Sequence, residues 1–261
     1  MTLEVLICTY GNEGLNRVAK MNLPTVEGVQ YLVSWQTDEF NLILPDELHR
    51  EDLVIYTTRT KGLSVNRNHA LKKASCDICL IADDDLIYTV EQLQAIIETF
   101  EKNPSVDIAL FRYSGGNNKR YPNQEFDIQK KPKGYYISSI EIAFRRNSLP
   151  PTLQFDTNFG VGTAMPAGEE FIFIHQAMKL GLKCHFFPIT ITHHEGLSTG
   201  SRQYTDGILQ ANGACLAIGY GLLGVLRIPI MAWRISRQGK AKIFPAVQHL
   251  FKGYIYGNKN F

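Results

Sequence analysis

Short apolar runs punctuate the first part of the chain: residues 3–7 (LEVLI), 29–33 (VQYLV), 53–56 (LVIY), 78–82 (ICLIA) and 106–111 (VDIALF). Runs this length, rich in Val, Ile and Leu and with little polar alternation, predict strands buried on both faces, as in a parallel sheet. Helical patterns lie between them. Residues 90–103 put Val90, Leu93, Ile96, Ile97 and Phe100 on one face. Thr89 and Gln92 have capping-box spacing, and Pro104 stops the helix. Residues 66–74 predict a shorter helix. This alternation predicts right-handed βαβ units in a doubly wound sheet, with ligands at the carboxyl ends of the strands.

After residue 111 the pattern changes. Residues 114–134 are rich in Gly, Asn, Lys and Pro and predict an exposed loop or hairpin. Residues 135–144 (YYISSIEIAF) predict a strand. A Gly-rich loop over 156–168 leads into a helix over 169–180 that Gly181 closes, and a strand follows at 184–192. Residues 207–226 carry no charge. Twenty such residues can span a bilayer. Five Gly, Gln210 and Asn212 favour instead a buried or interfacial helix, because each Gly costs about 1 kcal/mol of helix propensity.

The chain has 261 residues, 44% hydrophobic and 20% charged. Such a composition excludes disordered, collagen-like and multi-span membrane classes and fits one large α/β domain or two small ones. The five cysteines (8, 76, 79, 184 and 215) form no even disulfide framework and point to a reducing compartment. Cys76 and Cys79 form a C-x-x-C without a second ligand pair at zinc spacing, so two thiols entering a buried strand are expected. The first residues carry no basic leader, and a cytoplasmic chain at the inner face of the plasma membrane is expected. All 25 Asp and Glu lie in residues 1–206, whereas residues 207–261 carry seven Lys and Arg and no acid. We therefore expect one domain over 1–206 and a basic helical segment over 207–261 with an anionic partner, membrane or nucleic acid. The interleaved Trp233, Phe244, Phe251, Tyr254, Tyr256 and Phe261 favour the anionic membrane surface and argue against nucleic acid. A helix pair packed on the core is the plainer alternative.

Asp83-Asp84-Asp85 follows the run 78–82 directly, so three carboxylates crowd at a strand's carboxyl end. Unpaired charge there is costly. A divalent cation with a bridging phosphate would resolve it, and hard oxygen ligands suit Mg²⁺ or Mn²⁺. A helix N-cap cluster is the alternative. Upstream, Arg59 to Asn68 (RTKGLSVNRN) sets a Gly turn before a short basic helix, which suits phosphate binding or, equally, a surface loop.

Taken in order, ICTYGN, RTKGLSVNRNHAL, LIADDD and GEEFIFIHQAMKLGLK resemble the family 2 glycosyltransferases of the GT-A fold, over roughly residues 3–200. The resemblance implies an α/β, doubly wound, mixed but mostly parallel sheet with a helical extension. It implies that Thr9 and Tyr10 line the nucleotide base and ribose. Gln36 and Asp38 would read the base, and Arg67 would lie by the base or diphosphate. Asp83, Asp84 and Asp85 form the Asp-x-Asp site, with Asp85 as the direct metal ligand. Glu170 matches the catalytic base, with Glu169 beside it as the alternative. His193 or His194 would approach the metal or diphosphate. Residues 198–202 would form a lid bearing Arg202 as a phosphate contact. Two positions depart from the family pattern: Glu169-Glu170 stands where the family has Glu-Asp, and Trp35-Gln36-Thr37-Asp38 replaces the usual Asp after the second strand.

The expected activity is inverting transfer of a sugar from a nucleoside-diphosphate sugar, uridine-linked, to a cell-surface glycan or lipid-linked acceptor. The chemistry needs a cation at the leaving diphosphate, a base for the acceptor hydroxyl, and alignment of the two. A nucleotidyltransferase would want basic residues directly after the first strand, where residues 9–14 have none. A dehydrogenase would want G-x-G-x-x-G there. A binding module that kept the fold without turnover is the non-enzymatic rival.

Overall fold

The computed structural model describes residues 1–39, 44–116, 119–195 and 204–261. By contact the chain forms two compact units. One comprises Met1–Lys61, Val65–Gln154 and Gln176–Gly196; the other comprises Gly62–Ser64, Phe155–His175 and Leu197–Phe261. The second unit thus takes in residues 155–175 as well as the basic segment 207–261.

The first unit is a nine-stranded sheet. Its strands are β1 (Leu3–Tyr10), β2 (Val29–Gln36), β3 (Leu53–Thr58), β4 (Ile78–Ala82), β5 (Leu86–Ile87), β6 (Ile108–Ser114), β7 (Phe126–Asp127), β8 (Ile142–Arg145) and β9 (Cys184–His194). The spatial order is β3-β2-β1-β4-β8-β6-β9-β5, with β7 also on β9. Strands β3, β2, β1 and β4 run parallel. Strand β8 enters antiparallel between β4 and β6, and β9 is parallel to β6. The sheet is therefore mixed and mostly parallel, as the sequence predicts.

Helices α1 (Gly11–Lys20), α2 (Leu63–Lys73) and α3 (Val90–Lys102) connect the parallel strands. The apolar runs are buried because helices cover them: Leu15 and Val18 of α1 and Leu93, Ile96 and Phe100 of α3 share one core with Val5, Ile7, Val33 and Leu80. Helix α3 begins at the Thr89–Gln92 capping box. Helix α1 is absent from the sequence expectation. Its first turn, GNEG, looks like a breaker, yet Gly11 takes φ +66° and lets the chain turn from β1 straight into the helix.

Two expectations are corrected here. The strand expected over 135–144 is cut to Ile142–Arg145, because Ser138 and Glu141 form a capping box that starts a 3₁₀ turn over Ser139–Glu141. The stretch 114–134 is more than a solvated excursion. Tyr121 and Phe126 stack on Phe186, and Lys119 forms an ion pair with Glu141, both fully buried. Cys76 and Cys79 are buried free thiols, and burial pushes both pKa values up.

In the second unit, α4 (Glu169–Lys179) begins after the Gly-rich loop, followed by α5 (Asp206–Tyr220), a 3₁₀ stretch Gly221–Arg227, α6 (Ile228–Arg237) and α7 (Ile243–Asn260). The helical stretch Asp206–Arg237 is long and apolar enough to cross a membrane by length and composition. Helix α5, however, is core on two faces. Ala211, Ala214 and Ile218 pack with Phe159, Met165 and Ile172, while Leu209 and Ala217 pack with Ile228, Ala232 and Leu250. A helix buried on two sides has few places for charge, which accounts for its composition. The α5–α7 contact is glycine-tight: a Cβ on Gly253 would fall 1.8 Å from the Gln210 carbonyl, and one on Gly213 would fall 1.9 Å from that of Leu250.

Candidate active site

The chain leaves β1 toward β2 and β3 on one side, then returns through α2 to β4 on the other. Between β1 and β4 the connections diverge, and the carboxyl ends of these strands form a crevice. Thr9 and Tyr10 end β1, and Asp83–Asp85 follow β4.

The three carboxylates have different surroundings. Asp84 is gripped by Arg17, whose Nε donates to Oδ1 at 3.0 Å and whose Nη2 donates to Oδ2 at 2.9 Å. Thr9 Oγ1 donates to the same Oδ2 at 2.5 Å. Gly14 makes this possible, since a Cβ there would fall 2.1 Å from Thr9 Oγ1. Asp83 accepts from Arg67 Nη2 at 3.1 Å, and Arg67 is only 1% exposed. Burial raises the Asp83 pKa; the Arg67 charge opposes this, and Asp85 and Asp84 add to it. Asp85 is exposed, and its Oδ2 lies 3.2 Å from His194 Nε2. Among the described residues no Arg or Lys pairs with Asp85.

Of the two candidate histidines, His194 is the one beside Asp85. Register explains it: β5 pairs Leu86 with His194 and Ile87 with His193, so His194 sits beside Asp85 and its neighbour turns to the opposite face. The His193 ring instead lies 2.9 Å, through Nδ1, from Ser114 Oγ.

Arg67 and Asn66 come from α2. Asn66 Nδ2 donates to the carbonyls of Thr9, at 3.0 Å, and Ser34, at 2.9 Å, while Ser34 Oγ donates to its Oδ1. Sequence reading quoted Asn66 within the basic segment but gave it no role. At the end of β2, Gln36 is buried and donates to Thr60 Oγ1 at 3.2 Å; Asp38 is exposed, 3.6 Å from Lys61. Tyr10 is exposed, whereas the Thr9 side chain is buried and committed to Asp84. Arg202 and the lid expected over 198–202 lie outside the described residues.

In the second unit, the loop before α4 folds on itself: Gly160 N donates to Met165 O at 3.0 Å, and Gly160 and Gly162 take φ +98° and +90°. Ser64 Oγ donates to Phe159 O at 2.6 Å, and Leu63 N donates to Val161 O at 2.9 Å. Glu169 is buried with its carboxyl against Gly160, and Glu170 is partly exposed. Of the two, Glu170 is the more accessible.

Could Asp85 and its neighbours hold a divalent cation? Two of the three carboxylates already have arginine partners, and the third is exposed, with one oxygen beside an imidazole. That donor set fits a hard cation sharing its shell with phosphate oxygens and water. Among the described residues no three His, Cys, Asp or Glu side chains converge into a cage of their own.

A mixed sheet with an acidic cluster at its switch point and helices beyond defines an α/β protein of the GT-A type. Residues 37–166 match the family model "Glycosyl transferase family 2", and the chain belongs to that family. The match contains Arg67 and Asp83–Asp85; Thr9, Tyr10 and the Glu pair fall outside it. Among solved structures, S. aureus TarS 1–349 in complex with UDP-GlcNAc has TM-score 0.60 at 18% identity, over 93% of this chain and 74% of that one. Against another TarS structure, the chain covers 44% of the neighbour's length. The mannosyltransferase PcManGT from Pyrobaculum calidifontis, in complex with GDP-Man and Mn²⁺, has TM-score 0.58 at 14% identity, over 98% and 86%. A comparison with curated proteins finds no match.

Proposed function

We propose that this chain is an inverting glycosyltransferase that moves a sugar from a nucleoside-diphosphate sugar to a hydroxyl of a cell-surface glycan or lipid-linked acceptor. The observation that carries it is the division of labour among three consecutive carboxylates: Asp83 and Asp84 are held by Arg67 and Arg17, and Asp85 is exposed beside His194 without an arginine. The neighbours bound to UDP-GlcNAc and GDP-Man support a nucleotide-sugar donor, and the Mn²⁺ in one of them supports Mg²⁺ or Mn²⁺ here. We take the donor as uridine-linked.

In this reading Asp85 is the direct ligand of the cation, with Asp83 and His194 beside it. Bound there, a divalent cation would neutralise charge growing on the leaving diphosphate. Arg67 keeps Asp83 in place and adds positive potential under the diphosphate. Gln36 and Asp38 would read the base, and the exposed Tyr10 ring would line it. Glu170 takes the proton from the acceptor hydroxyl. The acceptor oxygen then forms its bond to the anomeric carbon on the face opposite the diphosphate, whose bond breaks with both electrons leaving on oxygen. One displacement inverts the configuration. Five free cysteines support a cytoplasmic setting.

A thermal-shift series over nucleotide sugars, with and without Mn²⁺, tests the reading, because a ligand of the native state raises the midpoint by mass action. A uridine diphosphate sugar should raise it, more with Mn²⁺, and release of UDP should follow on adding acceptor. Binding without release points to a non-catalytic module. No shift from any nucleotide sugar overturns the proposal.

A further inference from the structure

We propose that residues 221–237 form an interfacial docking surface for an anionic lipid bilayer, with α5 and α7 as its support rather than as membrane spans. The inference concerns the second unit alone and does not depend on the chemistry proposed above.

Helix α5 is too short to cross a bilayer by itself. Its 15 residues rise about 22 Å, against a hydrocarbon core of about 30 Å. It stops at Gly221, where φ +54° and ψ −138° break the helix. Its apolar side chains are already used in two cores.

The next segment behaves differently. In the 3₁₀ stretch, Leu222, Leu223 and Leu226 are 77%, 70% and 68% exposed. Helix α6 then buries Ile228, Ala232 and Ile235 on its inner face and turns Ile230 and Trp233 outward. Five large apolar side chains within twelve residues thus face solvent, more than scattered surface hydrophobes would give. At the start of α7, Phe244 is 85% exposed.

Cations share this face. Arg227, Arg234, Arg237 and Lys242 are exposed, and residues 207–261 contain no acid. Arg227 lies over the Tyr220 ring at 3.8 Å, and Arg237 lies over that of Trp233 at 5.0 Å. Leucines and an indole that enter the acyl boundary, flanked by guanidinium groups at headgroup depth, describe an interfacial helix. Charge selects the occupant: a second copy of this surface would set cations against cations with no acid to answer them, whereas an anionic leaflet complements them.

The test uses the full chain with vesicles of phosphatidylglycerol and phosphatidylcholine in equal parts, against phosphatidylcholine alone. The protein has two tryptophans, and Trp35 is buried, so Trp233 reports the interface. We expect salt-sensitive co-sedimentation with the anionic vesicles only. Tryptophan emission should shift blue and be quenched by brominated acyl chains, and Trp233→Phe should remove both signals. Leu222→Ser with Leu223→Ser and Leu226→Ser should weaken binding about tenfold or more. Each of Arg234→Gln and Arg237→Gln should weaken it about fivefold. These positions are exposed, and circular dichroism checks that the variants stay folded. Absence of binding to anionic vesicles overturns the proposal. So does salt-independent binding to neutral vesicles, which would mean insertion, or a lipid-free dimer that protects Trp233.

Discussion

Arg17 meets Asp84 through two parallel hydrogen bonds, Nε to Oδ1 at 3.0 Å and Nη2 to Oδ2 at 2.9 Å. The pair ties the first helix to the acidic cluster. Arg17 is half exposed, which limits the value of the ion pair to about 1 kcal/mol even in this geometry. Thr9 meets the same carboxylate from a buried position. Arg17→Leu should therefore lower stability by about 1 kcal/mol, and Thr9→Val by about 1–3 kcal/mol. Urea denaturation measures both, and a Thr9→Val protein as stable as the parent contradicts this account of Asp84.

Asp85 and Asp84 should separate in binding experiments. Asp85→Ala should abolish the Mn²⁺ dependence of UDP binding and keep the fold. Asp84→Asn should keep that dependence and lose stability. Calorimetry with UDP, with and without Mn²⁺, decides it, and unchanged affinity in Asp85→Ala removes the metal assignment.

Glu170→Gln preserves shape and removes basicity. It should slow sugar transfer by about 10²–10⁴-fold and leave donor affinity nearly unchanged. Glu169→Gln, at a buried position packed on Gly160, should act on stability more than on proton transfer. If Glu169→Gln is the dead enzyme and Glu170→Gln turns over normally, the two roles exchange.

Gly253→Ala should be among the most damaging single-methyl changes in the second unit. The methyl would overlap the Gln210 carbonyl, a backbone atom that cannot swing away. Overpacking of this kind costs about 1–3 kcal/mol or more. Gly181→Ala is the control: nothing lies within 4 Å, so only the strain of φ +84° remains, about 1–2 kcal/mol. Equal thermal midpoints for the two variants argue against a glycine-tight seam.

Lys119 and Glu141 form a buried ion pair, and Tyr121 donates to the same carboxylate at 2.5 Å. Burial raises the Glu141 pKa against the opposing charge of Lys119. Removing one member leaves a buried charge alone, so Lys119→Met should cost about 3–5 kcal/mol. Adding Glu141→Gln to it should restore much of the loss. A single variant that unfolds at the parent's midpoint would show that the pair carries no weight.

The parts of the fold legible in the sequence were those set by local rules. Ile78–Ala82 is a strand with the predicted bounds because five consecutive apolar residues can only be buried between layers, and α3 starts at Thr89 because its capping box is a local device. Helix α1 escaped notice because only two of its side chains, Leu15 and Val18, are apolar and buried, behind a glycine-bearing first turn. The uncharged stretch 207–226 was ambiguous for a physical reason: a helix buried on two protein faces and one buried in lipid have the same composition. At the site, sequence spacing brought the acids and Arg67 forward. It could not choose between His193 and His194, which depends on the register of β5, nor find Arg17, whose partner is 67 residues away.

Asn66 spends both amide hydrogens on the carbonyls of Thr9 and Ser34 and accepts from the Ser34 hydroxyl. One buried side chain thus ties together two neighbouring strands, β1 and β2, one and two residues before their carboxyl ends. The floor of the crevice is rigid before any ligand arrives. A molecule that enters meets dipoles already aimed, and its binding energy is left for the parts of the site that still have to move.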